Sequence, residues 1–185
     1  MRHLWRNDSS ATAPPIPCSS PCGRGVGAAL CLNDVIIEGS SFTAGEIAHV
    51  VVDPNGPICE CGKQGCLESF VSGDRLQQRI SQDPAARTHI LTEAGALLGR
   101  VMAIPAGLLD LRDISVYGAP EIVNTQFIDA MENEISRTVT TDYQEAPQIH
   151  RCRQGEDLTL RGQATIVIRT LVPTIHERGS LIGEA

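Results

Sequence analysis

Aromatic residues are scarce: three Phe, two Tyr and one Trp make up 3% of the 185 residues. Single-stranded nucleic acid is held largely by stacking bases on aromatic rings, so that role is not expected. Positive charge is also short. Lys and Arg number 15 against 22 Asp and Glu, a formal net charge of -7. The pI near 5.2 is the opposite of a basic footprint that grips a phosphate backbone. This chain alone is therefore expected to bind no nucleic acid. No run approaches the ~20 apolar residues of a membrane-spanning helix. The first 22 residues, MRHLWRNDSSATAPPIPCSSPC, contain no apolar run of ~7 or more, as a secretory signal would. No membrane partner is expected, and the cytoplasm is the expected compartment.

What is present suits a packed core. Hydrophobic residues make up 42% and charged residues 20%, and the length matches one domain or a little more at roughly 150 residues each. Residues 1–22 hold Pro14, Pro15, Pro17 and Pro21 among Ser and Ala and read as a disordered or unrelated arm. From Gly23 a glycine-rich turn leads into two short apolar runs separated by Asn33-Asp34, a hairpin signal. Ile47 to Val52 reads as a strand, and a Cys/Gly/Pro-rich loop follows it to Cys66. Ser72 is placed to cap a helix through LQQRI. Apolar spacings of three and four predict a helix from about Thr88 to Leu111, kinked or ended by Pro105. A strand at Ile114 to Tyr117, a helix burying Phe127, Ala130, Met131 and Ile135, a strand near His150 and a last helix from Leu160 to Leu171 complete an α/β layer. Residues 23–175 form the main domain in this reading, and 176–185 a C-terminal tail.

Three of the seven cysteines crowd into one loop within GEIAHVVVDPNGPICECGKQGCLES, residues 45–69. In a reducing compartment such crowding points to metal before disulfide. Cys59, Cys61 and Cys66 form CxCxxxxC with His49 upstream, a closed set for structural zinc across residues 49–66. Gly62 and Gly65 are placed to let the backbone take positive φ so that the sulfurs converge. A loop of unligated cysteines is the plainer alternative. Cys31 and Cys152 read as small core residues, Cys18 and Cys22 as a weak CxxxC pattern in the arm, and His89, His150 and His176 carry no assigned role.

GExxH followed by CxCGxxGCxE resembles the signature of the ROK family, bacterial sugar kinases and sugar-responsive transcriptional repressors. The residues that match are Gly45, Glu46, His49, Cys59, Cys61, Cys66 and Glu68, and looser similarity runs from Gly23 to about Val172. The resemblance implies an actin-like ATPase (ribonuclease H-like) lobe with a zinc-binding loop, the N-terminal lobe of the two-lobed fold being missing. It assigns zinc to His49, Cys59, Cys61 and Cys66, and sugar contacts to Glu46, His49 and Glu68. A ligating imidazole has a second nitrogen for a hydroxyl, and carboxylates accept strong hydrogen bonds from sugar hydroxyls. Surface solvation or support of the metal is the alternative for Glu46 and Glu68.

Gly23, Gly25 and Gly27 are similar to the family's phosphate-binding GTGxGxG turn, where closely spaced backbone N–H groups approach a phosphate. Arg24 stands for the usual Thr and Ala29 for the last Gly. ISVYGAPE, residues 114–121, is similar to the adenosine-side strand, with Tyr117 in a glycine's place. The family kinases' Asp-x-Gly-x-Thr loop does not occur upstream of Gly23. Asn7-Asp8 matches their Asn-Asp pair only formally, so the catalytic residues are unassigned. The first expectation is therefore the sugar-binding effector module of a transcriptional regulator without its DNA-binding part. The alternatives are an ATP-dependent sugar kinase, glucokinase-like or N-acetylhexosamine kinase-like, using ATP and magnesium, and a non-catalytic zinc-stapled remnant. The expected partners are a sugar or sugar phosphate, and a second copy or a longer homologue, because half of a two-lobed fold leaves apolar surface uncovered.

Overall fold

The computed structural model describes residues 25–32 and 35–152. Gly23, Arg24, the arm and the expected helix from Leu160 to Leu171 lie outside the described residues. The hairpin expectation holds: β1 (Cys31–Leu32) pairs antiparallel with β2 (Val35–Ile36), Leu32 opposite Val35.

After α1 (Glu68–Val71) and α2 (Gly73–Gln82), the long α3 (Arg87–Leu109) and α4 (Thr125–Val139) form the bulk of the core. In α4 the buried residues Phe127, Met131, Ile135 and Val139 recur every four positions and make one apolar stripe. That stripe meets Ile90, Leu91, Ala94 and Val101 of α3 in a single cluster. Asn124 caps α4, its side-chain oxygen accepting from Phe127 N at 3.1 Å. Ser72 stands at the N-cap of α2 with extended backbone but makes no side-chain capping bond there.

Two local expectations are corrected, and a third is narrowed. Ile47 to Val52 is not a strand: Ile47–His49 is one 3-10 turn, and only Val51 bridges to Cys66. An apolar run this short fits a strand or a buried turn equally well, and burial of Ala48 decides for the turn. Pro105 does not end α3, which runs on to Leu109 and stops at Asp110 in a left-handed conformation, φ 49°. Burial of Val101, Ala103 and Ala106 on both sides of Pro105 outweighs the lost N–H. Cys31 is exposed rather than a core residue, because the two-residue β1 turns its side chain outward.

Strand β3 (Asp113–Val116) pairs in parallel with β4 (Gln148–Arg151), and α4 is the crossover between them. Ile114, Val116 and Ile149 face the helices. This βαβ unit is the α/β layer expected from the sequence. The helical stretch Pro84–Leu109 contains an 18-residue window of mean hydropathy 1.2, more apolar than its scattered residues suggest. By length and composition alone it could cross a membrane. Here 44% of that window is buried inside the protein, where α3 packs along α4 as a core helix does.

Candidate metal and sugar site

The site grows from two short pairings that close one loop. Leu67 N donates to Val50 O at 2.8 Å and Val52 N to Gly65 O at 2.9 Å, tying the segment after His49 to the segment around Cys66. Inside this closure Cys59 N donates to Lys63 O and Gly62 N to Cys59 O, a tight knuckle between Cys59 and Lys63. Gly62 and Gly65 take positive φ, +88° and +73°, as the sequence predicts. At Gly65 glycine is required twice, since a Cβ would also fall 1.5 Å from Asp53 O.

The knuckle brings one donor atom each from His49, Cys59, Cys61 and Cys66 within 4.8 Å of one another. His49 turns Nδ1 to 3.6 Å from Cys59 Sγ, and the sulfurs of Cys61 and Cys66 are 3.6 Å apart. Cys59 and Cys66 are buried and Cys61 is exposed. Burial first, and then the neighbouring sulfurs of Cys61 and Cys59, push the Cys66 thiol up to about 12. The Cys61 thiol is lowered, chiefly by a backbone hydrogen bond from Lys63. Sulfurs this close carry thiolate charge together only around a cation, and three sulfurs with one imidazole nitrogen are a donor set that suits a four-coordinate zinc ion. The cluster can hold a metal ion.

Around this cluster the structure gathers most of the residues singled out in the sequence. Glu68, at the start of α1, places Oε2 3.8 Å from His49 Nδ1 and 3.9 Å from Cys59 Sγ. His49 is 37% and Glu68 27% exposed, so both are reachable from solvent. Glu46 is exposed at the entry to the 3-10 turn. The glycine turn is adjacent: Ala28 N donates to Gly45 O at 2.9 Å, and a Cβ on Gly25 would stand 3.3 Å from Glu68 Oε1. Gly25 and Gly27 are exposed. Two contacts were not legible in the sequence. Lys63 Nζ donates to His49 O at 3.3 Å, and Gly25 backs onto the Glu68 carboxylate. Neither has a local signal, since both pairs meet only through folding.

A His/Cys knuckle thus lies beside a glycine turn, and the ROK family model matches residues 20–170. The chain belongs to the ROK family. It is 30% identical over 161 residues to the N-acetylmannosamine kinase of Haemophilus influenzae strain PittEE, covering 76% of this chain and 51% of that protein. The chain thus spans about half the length of the curated relatives it matches over most of its own length. Among solved structures it is similar to a ROK family transcriptional regulator described as a homologue of the E. coli MLC protein. That match has a TM-score of 0.67 and 21% identity, over 77% of this chain and 43% of that one. It is likewise similar to a ROK family glucokinase from Streptomyces griseus in complex with glucose and AMPPNP, with a TM-score of 0.65 and 22% identity, over 78% of this chain and 57% of that one. These likenesses give the fold, that of the actin-like ATPase sugar kinases and regulators.

Proposed function

We propose that this chain is a sugar-binding module whose zinc-stapled knuckle presents His49, Glu46 and Glu68 to sugar hydroxyls. The observation that carries this is the direction of His49. With Nδ1 turned toward the sulfurs, Nε2 is left to meet a ligand, and a metal at Nδ1 would fix the ring. Glu68 adds a partly exposed carboxylate acceptor 3.8 Å from the same ring. Its role as effector domain of a sugar-responsive transcriptional regulator is the first reading. The Glu68 carboxylate beside Gly25 repels a phosphate placed on that turn. The regulator structure quoted above is compatible with it.

Calorimetry with a panel of hexoses and N-acetylhexosamines tests the module. Heat from at least one sugar at millimolar concentration is expected, and none from any of them counts against it. A sugar kinase is the second reading, favoured by the 30% identity to an N-acetylmannosamine kinase. Sugar-dependent ADP release in a coupled assay decides for it, with ATP and magnesium as the added cofactors. On either reading the chain works in the cytoplasm, where thiolates stay reduced. It associates with a second copy or a longer homologue, which would cover exposed apolar side chains such as Phe42 (80% exposed) and Leu108 (79%).

A further inference from the structure

The four groups of the knuckle differ in their access to solvent. Cys66 is fully buried and Cys59 5% exposed, whereas Cys61 is exposed and its sulfur lies 3.6 Å from that of Cys66. A disulfide requires about 2.05 Å between sulfurs, so closing this pair asks for a movement of roughly 1.5 Å. Gly62, next to Cys61, has no atom within 4 Å of its Cβ position, so the knuckle has room to give on that side. Cys59 is engaged differently, facing His49 at 3.6 Å and Glu68 at 3.9 Å.

We propose that Cys61 and Cys66 form a redox modification site at which hydrogen peroxide closes a disulfide and dismantles the metal site. The bond rests on the sulfur geometry, and only its consequence rests on the zinc reading. The exposed Cys61 sulfur attacks one peroxide oxygen; the O–O bond breaks, the departing hydroxide leaves as water with a proton, and Cys61 becomes a sulfenic acid. The Cys66 sulfur then attacks the Cys61 sulfur. The S–O bond breaks as the S–S bond forms, and the second oxygen leaves as water. Each sulfur gives up one electron and one peroxide is reduced to two waters. The protons come from the thiols, or from solvent when both sulfurs start as metal-bound thiolates. Two of the four donors are then lost. His49 and Cys59 alone do not complete a tetrahedral zinc site, so a bound ion would no longer be held and the His49 ring would lose its anchor.

The sequence supplies the means of mapping the bond. Glu60 separates Cys59 from Cys61, and Lys63 separates Cys61 from Cys66. Digestion with trypsin and a glutamate-specific protease therefore leaves the three cysteines on three peptides. The protein as isolated is assayed for zinc, titrated with hydrogen peroxide in the presence of a metallochromic indicator, digested without reduction and read by mass spectrometry. The same titration is run on chelator-stripped protein. The expected result is a Cys61–Cys66 linked peptide in both, with zinc released from the loaded protein at the same peroxide dose and rebound after thiol reduction. A bond from Cys59 to either partner, oxidation of Cys61 to the sulfinic acid without a bond, or zinc release with all three thiols intact overturns the proposal. A Cys61–Cys66 bond in protein that never held zinc overturns the zinc reading and supports the modification site.

Discussion

Glu68 Oε2 lies 3.8 Å from His49 Nδ1 and 3.9 Å from Cys59 Sγ, so one carboxylate faces both the imidazole and a sulfur of the knuckle. Such a group affects a ligand by accepting hydrogen bonds from its hydroxyls. Replacing Glu68 by Gln keeps the shape and removes the charge. Charge-assisted acceptors are roughly twice as strong as neutral ones. Glu68→Gln is expected to weaken sugar binding by roughly tenfold, read by calorimetry against the same sugar, with zinc content measured in parallel. Unchanged binding would assign Glu68 to solvation instead.

Cys66 is the deepest donor, fully buried and wedged between Cys61 Sγ at 3.6 Å and His49 O at 3.8 Å. Cys66→Ser is nearly isosteric but removes a soft thiolate from the set. The expected outcome is loss of bound zinc and a lower Tm. Chelation of the unaltered protein should reproduce that Tm, because a structural metal contributes its binding energy to folding. Zinc per chain by atomic emission, together with thermal unfolding with and without chelator, checks this. A variant that keeps its zinc and its Tm would show that the knuckle stands without the metal.

The legibility of the site followed its chemistry. Cys59, Cys61, Cys66 and His49 could be grouped from spacing alone, because few other arrangements explain three cysteines within eight residues of a reduced protein. Ile47 to Val52 was misread because its run is too short to show a period. The helix through Pro105 is readable from its apolar spacing, whereas its running on past the proline depends on tertiary burial of Ala103 and Ala106. The approach of Gly25 to Glu68 had no sequence signal, since it joins positions far apart in the chain. The α3 glycines are a further case: they look like helix-weakening positions until α4 is seen lying across them.

Gly95 faces the α4 backbone so closely that a Cβ would stand 2.1 Å from Phe127 O, and the corresponding distance from Gly99 to Met131 O is 2.7 Å. Alanine would favour the helix by about 1 kcal/mol at either position. Overpacking costs about 1–3 kcal/mol or more, and at Gly95 it falls on backbone that cannot step aside. Gly95→Ala is expected to lower Tm by roughly 4–8 °C, at about 2–4 °C per kcal/mol in a chain of this size. Gly99→Ala should cost less. Thermal unfolding of the two variants tests the order as well as the sign, and a stabilised Gly95→Ala would contradict the close helix crossing.

Glu134 supplies the pH dependence on the other side of α4. Its side chain is 11% exposed; Oε1 accepts from Arg100 Nε at 3.1 Å and from Arg137 Nη2 at 2.8 Å, and Oε2 accepts from Arg137 at 3.0 Å. Burial alone would raise this carboxyl, but the hydrogen bonds from Arg137 and Arg100 outweigh it and hold it below the ordinary carboxylate range. The folded chain therefore binds this proton less readily than the unfolded chain does. The stability it contributes is whole above the unfolded value of about 4.3 and is lost as pH falls through the lower folded value. Both guanidiniums are largely exposed, 58% for Arg100 and 71% for Arg137, so screening limits the contribution to roughly 0.5–1 kcal/mol. Glu134→Gln should lower the unfolding free energy measured in urea at pH 7 by that small amount, and the gap to the unaltered protein should narrow as both are taken below about pH 4. A gap that stays constant on acidification would mean that the cost comes from packing or from an unpaired amide rather than from the charge.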